Sequence, residues 1–456
     1  SQSGLDILLV DENSHTGGQL LRRTGEQGRF SLLEPDWIKA KGFALADRVG
    51  RLKAGGRVDR LENAQVLGIF DDRRLLIHHM DPGLSGPGRG RICEVRGEQL
   101  ILATGARERY LPFKGWTLPG VMSLGAAQIL MKSHGVLPGR RTAVAGTSPL
   151  MMVLASQILK NRGKVAAVMD QVPLRKKIDF LPLAVKHWSK LAEGGVYQAH
   201  LMLNLVRQYH PYTIIEADGS GRFESVTAAR TGKDGLPAAG TEIRIPADAL
   251  AMGHGFVPNI ELAVQAGCRT GHDPDLGGWV VITDDSFETS VRSVYAAGET
   301  TGIGGGKKSL IQGRLAAYAI LEKMGRLNLK QKGGRIKKEL ARLKKMEAEQ
   351  ADYAVFLNRL CAVPEQAWQA IPDDTLICRC ENITMSDIKK TVHQGFQTAV
   401  GLKRATRCGM GRCQGRICGP AIQDILAALT GHGPAQAGPA LSRPPVKNTP
   451  MGAFLE

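Results

Sequence analysis

Apolar runs that end in a turn alternate along the chain with stretches of helical spacing. The run "LDILLVDE" (Leu5 to Glu12) closes on two acids and is followed by "NSHTGGQL", the pattern of a buried parallel strand. A second strand, "LILATGA", lies within "GEQLILATGARERYLPFKGWTLPGV" (Gly97 to Val121) and ends in a Thr-Gly turn, with "LPG" as a further turn. "SLGAAQILMKSHG" (Ser123 to Gly135) reads as a helix. From Arg140 to Asp170, "RRTAVAGTSPLMMVLASQILKNRGKVAAVMD" gives strand, turn, helix and strand, closed by Asp170. Residues near 195–250 alternate apolar and polar positions, which predicts strands and hairpins. "ALAMGHGFVPNIELAVQAGC" (Ala249 to Cys268) reads as a strand, a Gly-rich turn and a short helix. "SVYAAGE" is a strand ending in Gly298-Glu299, and "SLIQGRLAAYAILEKM" is a helix.

These patterns predict an α/β fold with two Rossmann-like dinucleotide-binding units. In such a unit an acid at the end of the second strand holds the ribose, roughly 20 residues after a glycine fingerprint. Asp11 and Glu12 have that position, but no fingerprint precedes them. The first strand and its G-x-G-x-x-G turn are absent from the chain, and the expectation is that they have been cut away. In the second unit the turn reads Gly146-Thr147-Ser148-Pro149-Leu150-Met151 and keeps only the first of three glycines. Ser148 puts a side chain where backbone should approach a pyrophosphate, and Met151 adds bulk at the helix–strand contact. The fold of this unit is therefore better supported than an NAD(P) ligand.

At 456 residues, two to four domains are expected. The 55 glycines fall largely in short clusters after apolar runs, as nucleotide-binding turns do. The net charge of +17 raises nucleic acid as a partner. Sparse aromatics and the lack of a nucleic-acid motif argue against it, and anionic cofactors, acidic partners or a membrane surface fit the charge equally well. No apolar run approaches the ~20 residues of a membrane span, and "SQSGLDILLVDE" has no signal-peptide features. A cytoplasmic protein is expected, with at most peripheral contact on the inner face of a membrane. "RLNLKQKGGRIKKELARLKKMEAEQA", from Arg326 to Ala351, reads as a charged helical connector with solvated faces. His254, in "GHGF", reads as a structural histidine beside a glycine turn, and no side chain stands out as an acid–base catalyst.

Five of the eight cysteines, Cys378, Cys380, Cys408, Cys413 and Cys418, crowd into the last quarter of the chain. C-x-C is awkward to bridge, so disulfides are disfavoured. A structural zinc site generally uses two C-x-x-C knuckles, which are missing here. An iron–sulfur cluster needs four thiolates on loops with amide donors, and C-x4-C spacing occurs in such proteins. This reading suits the residues best, with the others still open. The intervening "ITMSDIKKTVHQGF" reads as a helix capped by Thr384 or Ser386.

"CRCENIT" together with "TRCGMGRCQGRIC" resembles the [2Fe-2S] domain related to bacterioferritin-associated ferredoxin. More specifically, it resembles the form found in α-type flavoprotein subunits of heteromeric amine and imino-acid dehydrogenases. That group includes the A subunits of opine oxidases, the B subunit of hydrogen cyanide synthase, proline and hydroxyproline dehydrogenase α subunits and, more distantly, sarcosine oxidase α. The resemblance runs from "LLVDENSHTGGQL" to "RPPVKNTPMGAF". It implies a glutathione-reductase-like flavoprotein plus a small α-helical [2Fe-2S] domain. The FAD-binding unit would take residues 1–135 and 250–325, and the second Rossmann-like unit 136–249. The connector would span 326–370, the [2Fe-2S] domain 371–431 and an extended tail, able to wrap a neighbour, 432–456.

Carried over by position, the cluster ligands would be Cys378, Cys380, Cys413 and Cys418. Cys408 would be a nearby spare, with the alternative that it replaces one of them. FAD would meet Asp11 or Glu12 at the ribose, and Gly17, Gly18 and Gln19 of "TGGQ" near the pyrophosphate or isoalloxazine. Ala103, Thr104 and Gly105 would form the second turn, and Gly298 and Glu299 would sit at the ribityl and pyrophosphate. Gln312 would line the flavin end, and the backbone of Val66 would lie near adenine. The implied function is electron transfer within a larger assembly. A β-type flavoprotein partner would carry the substrate site, with room for FMN at a subunit interface and for a small ferredoxin-like subunit. Two alternatives stand beside it: a self-contained NAD(P)H-dependent FAD oxidoreductase, and a non-catalytic scaffold with a vestigial flavin site.

Overall fold

Parallel strand pairing organises the molecule, and the strand ends position every candidate site. The structure, a computed structural model, describes residues 4–22, 42–56, 58–80, 90–180, 187–232, 234–327, 333–439 and 442–454. In the first unit Leu8–Val10 pairs in parallel with Asp59–Leu61, and Leu100–Leu102 with Val294–Ala296. An antiparallel meander of Ala64–Phe70, Arg74–His79 and Arg91–Arg96 covers them. Ile69, Ile77, Leu102, Val281 and Ala296 share one core, with Val10 and Leu61 packed against it. Among the described residues no ladder joins the two parallel pairs. Ile7, Leu8, Leu9 and Ile101, beside their open edges, are 36–45% exposed.

The second unit is a five-stranded parallel sheet. Its order is Gln208–Tyr209, Lys164–Asp170, Arg141–Gly146, Ala249–Gly253 and Val121–Ser123. Its strands read as unbroken apolar runs because both faces are covered. Val144, Val168 and Ala251 face the helices Leu124–His134, Leu150–Lys160 and Trp188–Leu203. Ala145, Met169 and Met252 face Phe113, Trp116 and an antiparallel sheet of Tyr212–Asp218, Ser225–Arg230 and Ile243–Pro246, as the two-residue period requires. Gly146 is needed at its turn, since a Cβ there would lie 1.9 Å from the Gly253 carbonyl oxygen. Two expectations change. Residues 195–203 continue a helix, so the alternating strands begin only at Gln208. The sheet also draws in Val121–Ser123, on the near side of the boundary expected at 136.

The connector forms a 29-residue helix, Gly333–Cys361, about 44 Å long. It is not solvated all round. Leu343 packs on Ile311 and Leu315 of the helix Gly305–Lys323, and Gln312 Nε2 donates to Glu347 Oε1 at 2.8 Å. The cysteine module pairs Leu376–Cys378 with Ile383–Thr384 and adds helices Met385–His393, Ala399–Thr406 and Cys418–Thr430. These bury Ile377, Ile388, Leu402, Ile425 and Leu426. Thr384, rather than Ser386, caps the first helix in a reciprocal box with Asp387. The tail does not extend outward but returns to the first unit. Val446 N donates to the Leu67 carbonyl at 2.8 Å, Pro444 packs on Gly68, and Lys447 pairs with Glu12. Burial of Val446 and Ala453 drives this return.

Candidate flavin and iron–sulfur sites

Cys378 ends its strand, Cys418 opens its helix, and Cys408 follows a helix closed by Arg407 in the left-handed conformation. These elements bring the three sulfur atoms within 4.8 Å of one another, all buried. Cys413 is half-buried and lies between Cys418 and the exposed Cys380, in hydrogen-bond contact with both. Gly411 makes room for this approach, because a Cβ there would lie 2.3 Å from the Cys380 Cβ. Hydrogen bonds from Cys408 and then Cys418 hold the Cys378 thiol well below its ordinary value. Cys418 does the same for Cys413, while the donors Cys408 and Cys418 are pushed up. All eight cysteines are free thiols. A cluster of cysteine sulfurs on tight loops suits a [2Fe-2S] centre. Cys408, expected as a spare, belongs to the buried group, whereas Cys380 lies on its rim.

The expected flavin residues occupy the C-terminal ends of the parallel strands. Asp11 follows Val10, Thr104 and Gly105 follow Leu102, and Gly298 and Glu299 follow Ala296. Such strand ends form the ligand crevice of an open α/β sheet. No heavy atom lies within 4 Å of where a Cβ would stand on Gly18, Gly105 or Gly305, so bare backbone faces open space there, as a dinucleotide requires. Gln19 and Ala103 are exposed beside it. Asp11 Oδ1 accepts from Asn13 N at 2.9 Å, and Glu12 is taken by Lys447. Thr104 Oγ1 donates to the Asn259 carbonyl at 2.6 Å. Glu299 accepts from Gly304 N and Gly305 N at 3.1 and 2.6 Å, capping the helix expected to face the dinucleotide. Burial pushes its carboxyl up. Gln312 is buried beneath this turn, accepting from Gly298 N at 2.8 Å, so its role here is to brace the turn. Val66 sits opposite Ile77 in the meander, two residues past Ala64, whose N–H donates to the Asp11 carbonyl.

Sequence patterns carry no signal for the contacts that dock the cysteine module on the two nucleotide-type units. Arg109 Nη1 meets Asp424 Oδ2 at 2.7 Å, and Arg109 Nη2 donates to the Gly277 carbonyl at 3.1 Å. Burial raises the Asp424 carboxyl, with the guanidinium pulling the other way. Trp116 Nε1 donates to the Leu376 carbonyl at 2.7 Å, two residues from Cys378. These partners are far apart in sequence, so no local spacing could reveal them.

The crevice of the second unit is walled in part by a distant segment of the chain. Its cavity of about 280 Å³ is lined by Thr147, Gln171 and Thr231, and by Val363 and Pro364 from just beyond the connector helix. Lys176 Nζ donates to the Ala362 carbonyl at 3.3 Å across it. Asp170, placed for a ribose, instead meets Lys177 Nζ at 2.5 Å and His210 Nδ1 at 3.4 Å. Burial alone would raise Asp170, but His210 and Lys177 hold it below the usual carboxylate range. The space is at the small end for ligand pockets, ~300–1,000 Å³. His254 is buried, meets Gln171 Oε1 at 3.1 Å, and is pushed down to about 4 by burial and then by Arg109, as befits a structural residue.

A dinucleotide-type crevice and a thiol cluster on one docked body define a flavin-dependent oxidoreductase with an iron–sulfur domain. The chain belongs to the pyridine nucleotide-disulphide oxidoreductase family, which it matches over residues 1–319, and it carries a BFD-like [2Fe-2S] binding domain over residues 376–428. It is 31% identical to hydrogen cyanide synthase subunit HcnB of Pseudomonas aeruginosa, over 100% of this chain and 94% of that one. It is 30% identical to the A subunit of opine oxidase from Agrobacterium tumefaciens, over 98% and 86%. The fold is similar to that of L-proline dehydrogenase from P. horikoshii, with a TM-score of 0.66, 18% identity, and coverage of 99% of this chain and 75% of that one. Two expectations therefore hold: an FAD-type oxidoreductase domain and a [2Fe-2S]-binding domain. No helix among the described residues is long and apolar enough to cross a membrane.

Proposed function

We propose that this protein is the electron-transferring subunit of a heteromeric dehydrogenase or oxidase, one that oxidises an amine, opine or imino acid of the proline, hydroxyproline, sarcosine or glycine type. The observation that carries this reading is the thiol module docked on both nucleotide-type units, on the flavin unit through Arg109–Asp424 and on the second through Trp116–Leu376. Relatives bearing the names of enzyme subunits support it. When bound, FAD would supply two-electron redox chemistry and the cluster one-electron transfer. The chain's own work is to hold them. Lys447 neutralises Glu12 and so leaves Asp11 to receive the ribose. The bare backbone at Gly18, Gly105 and Gly305 admits the phosphates and ring. Cys378, Cys380, Cys413 and Cys418 hold the cluster. A β-type flavoprotein partner carries the substrate pocket.

The self-contained NAD(P)H reading is disfavoured by the segment 362–364, which narrows the second crevice, and by the ion pairs that occupy Asp170. The test is anaerobic co-purification from the native source, with optical and EPR spectra before and after dithionite. The expected result is this chain's flavin beside that of the partner, and one [2Fe-2S] signal, with this chain's flavin bleached by the amine substrate only when the partner is present. Bleaching by NADH with this chain alone overturns the proposal.

A further inference from the structure

The cysteine module holds five thiols, and a [2Fe-2S] cluster binds four. The surplus thiol is not remote. Cys408 is 1% exposed, and its sulfur lies within 4.8 Å of those of Cys378 and Cys418. Its backbone is fixed by a bond from Cys408 N to Thr406 Oγ1 at 3.1 Å. Cys380 is the exposed thiol of the five. The two segments are clipped together, since Arg407 Nε meets Glu381 Oε2 at 3.0 Å, one residue from each of the two cysteines.

We propose that Cys408 is a built-in replacement ligand for Cys380. This rests on the reading above that Cys378, Cys380, Cys413 and Cys418 hold the cluster. When the rim sulfur leaves, the iron–sulfur bond to Cys380 breaks and one to Cys408 forms. The Cys408 proton passes to the departing thiolate or to water, and neither iron changes oxidation state. The cluster then persists on Cys378, Cys408, Cys413 and Cys418. The ligand facing solvent is the one most open to attack, so a buried substitute protects the centre where it is weakest.

The test compares Cys380→Ala, Cys380→Ser, Cys408→Ala and the Cys380→Ala/Cys408→Ala double variant, each isolated without oxygen as the full holoprotein. Iron and sulfide content, visible circular dichroism and EPR of the dithionite-reduced form are read, with FAD content as the control for folding. Cys408→Ala should match the wild type. Cys380→Ala and Cys380→Ser should keep most of the iron and share one shifted EPR spectrum, because the same sulfur has moved in. The double variant should lose its cluster and keep its FAD. Loss of the cluster in Cys380→Ala with FAD retained, loss in Cys408→Ala, or retention in the double variant overturns the proposal. Zinc or no metal in the wild type instead overturns the underlying reading.

Discussion

Asp424 and Arg109 stand 315 positions apart in sequence, and their side chains meet at 2.7 Å. The pair is half-buried, and Arg109 keeps the Gly277 carbonyl as a partner, so removing one member costs less than for a fully buried pair, about 1–2 kcal/mol. Asp424→Ala should lower the denaturant midpoint by that order, and Asp424→Asn, which keeps an acceptor, by less. Equal midpoints for Asp424→Ala and wild type would show that the pair does not hold the module. His254 gives a pH dependence. Its folded-state value of about 4 lies below the ordinary 6.5, so the unfolded chain binds the extra proton between these values. Stability is therefore unaffected above pH ~6.5 and falls as pH drops toward 4, by about 2 kcal/mol at pH 5 from this residue. Denaturant midpoints at pH 7 and 5 check this, and His254→Gln should flatten the difference. At this scale the crowding of five cysteines was legible, and the resemblance named four of them as ligands, but the buried grouping of Cys408 with Cys378 and Cys418 was not. The docking pair was not, because neither partner carries a local signature.

The helices and parallel strands were legible from their apolar periods, and the misreadings have physical causes. The stretch 195–203 opens on the second of two glycines and alternates in polarity, yet Leu201 is fully buried against Leu154 and Ile158, and tertiary packing wins. The charge of the connector hid a narrow apolar stripe around Leu343. The tail, rich in Pro, Gly and Ala, shows no period at all, yet Val446 is 2% exposed. Val446→Ala should cost about 2 kcal/mol, measured as a drop in thermal or denaturant stability. An unchanged midpoint would mean that the tail is not held in place.

On the scale of the molecule, the two Rossmann-like units and the thiol module were readable in order along the chain. How they meet was not, since docking depends on surfaces assembled from distant segments. The lining of the second crevice is the clearest case. Its degenerate turn, Gly146-Thr147-Ser148, was visible, but part of the cavity wall, Val363 and Pro364, comes from residues more than 200 positions later.

The return of Val446 and Lys447 to the first unit has a last consequence. The stretch that leaves the cysteine module is stitched to the β-meander and to Glu12. Heat that frees one unit must also strain the other, so the iron and flavin modules should come apart in a single cooperative event rather than one after the other.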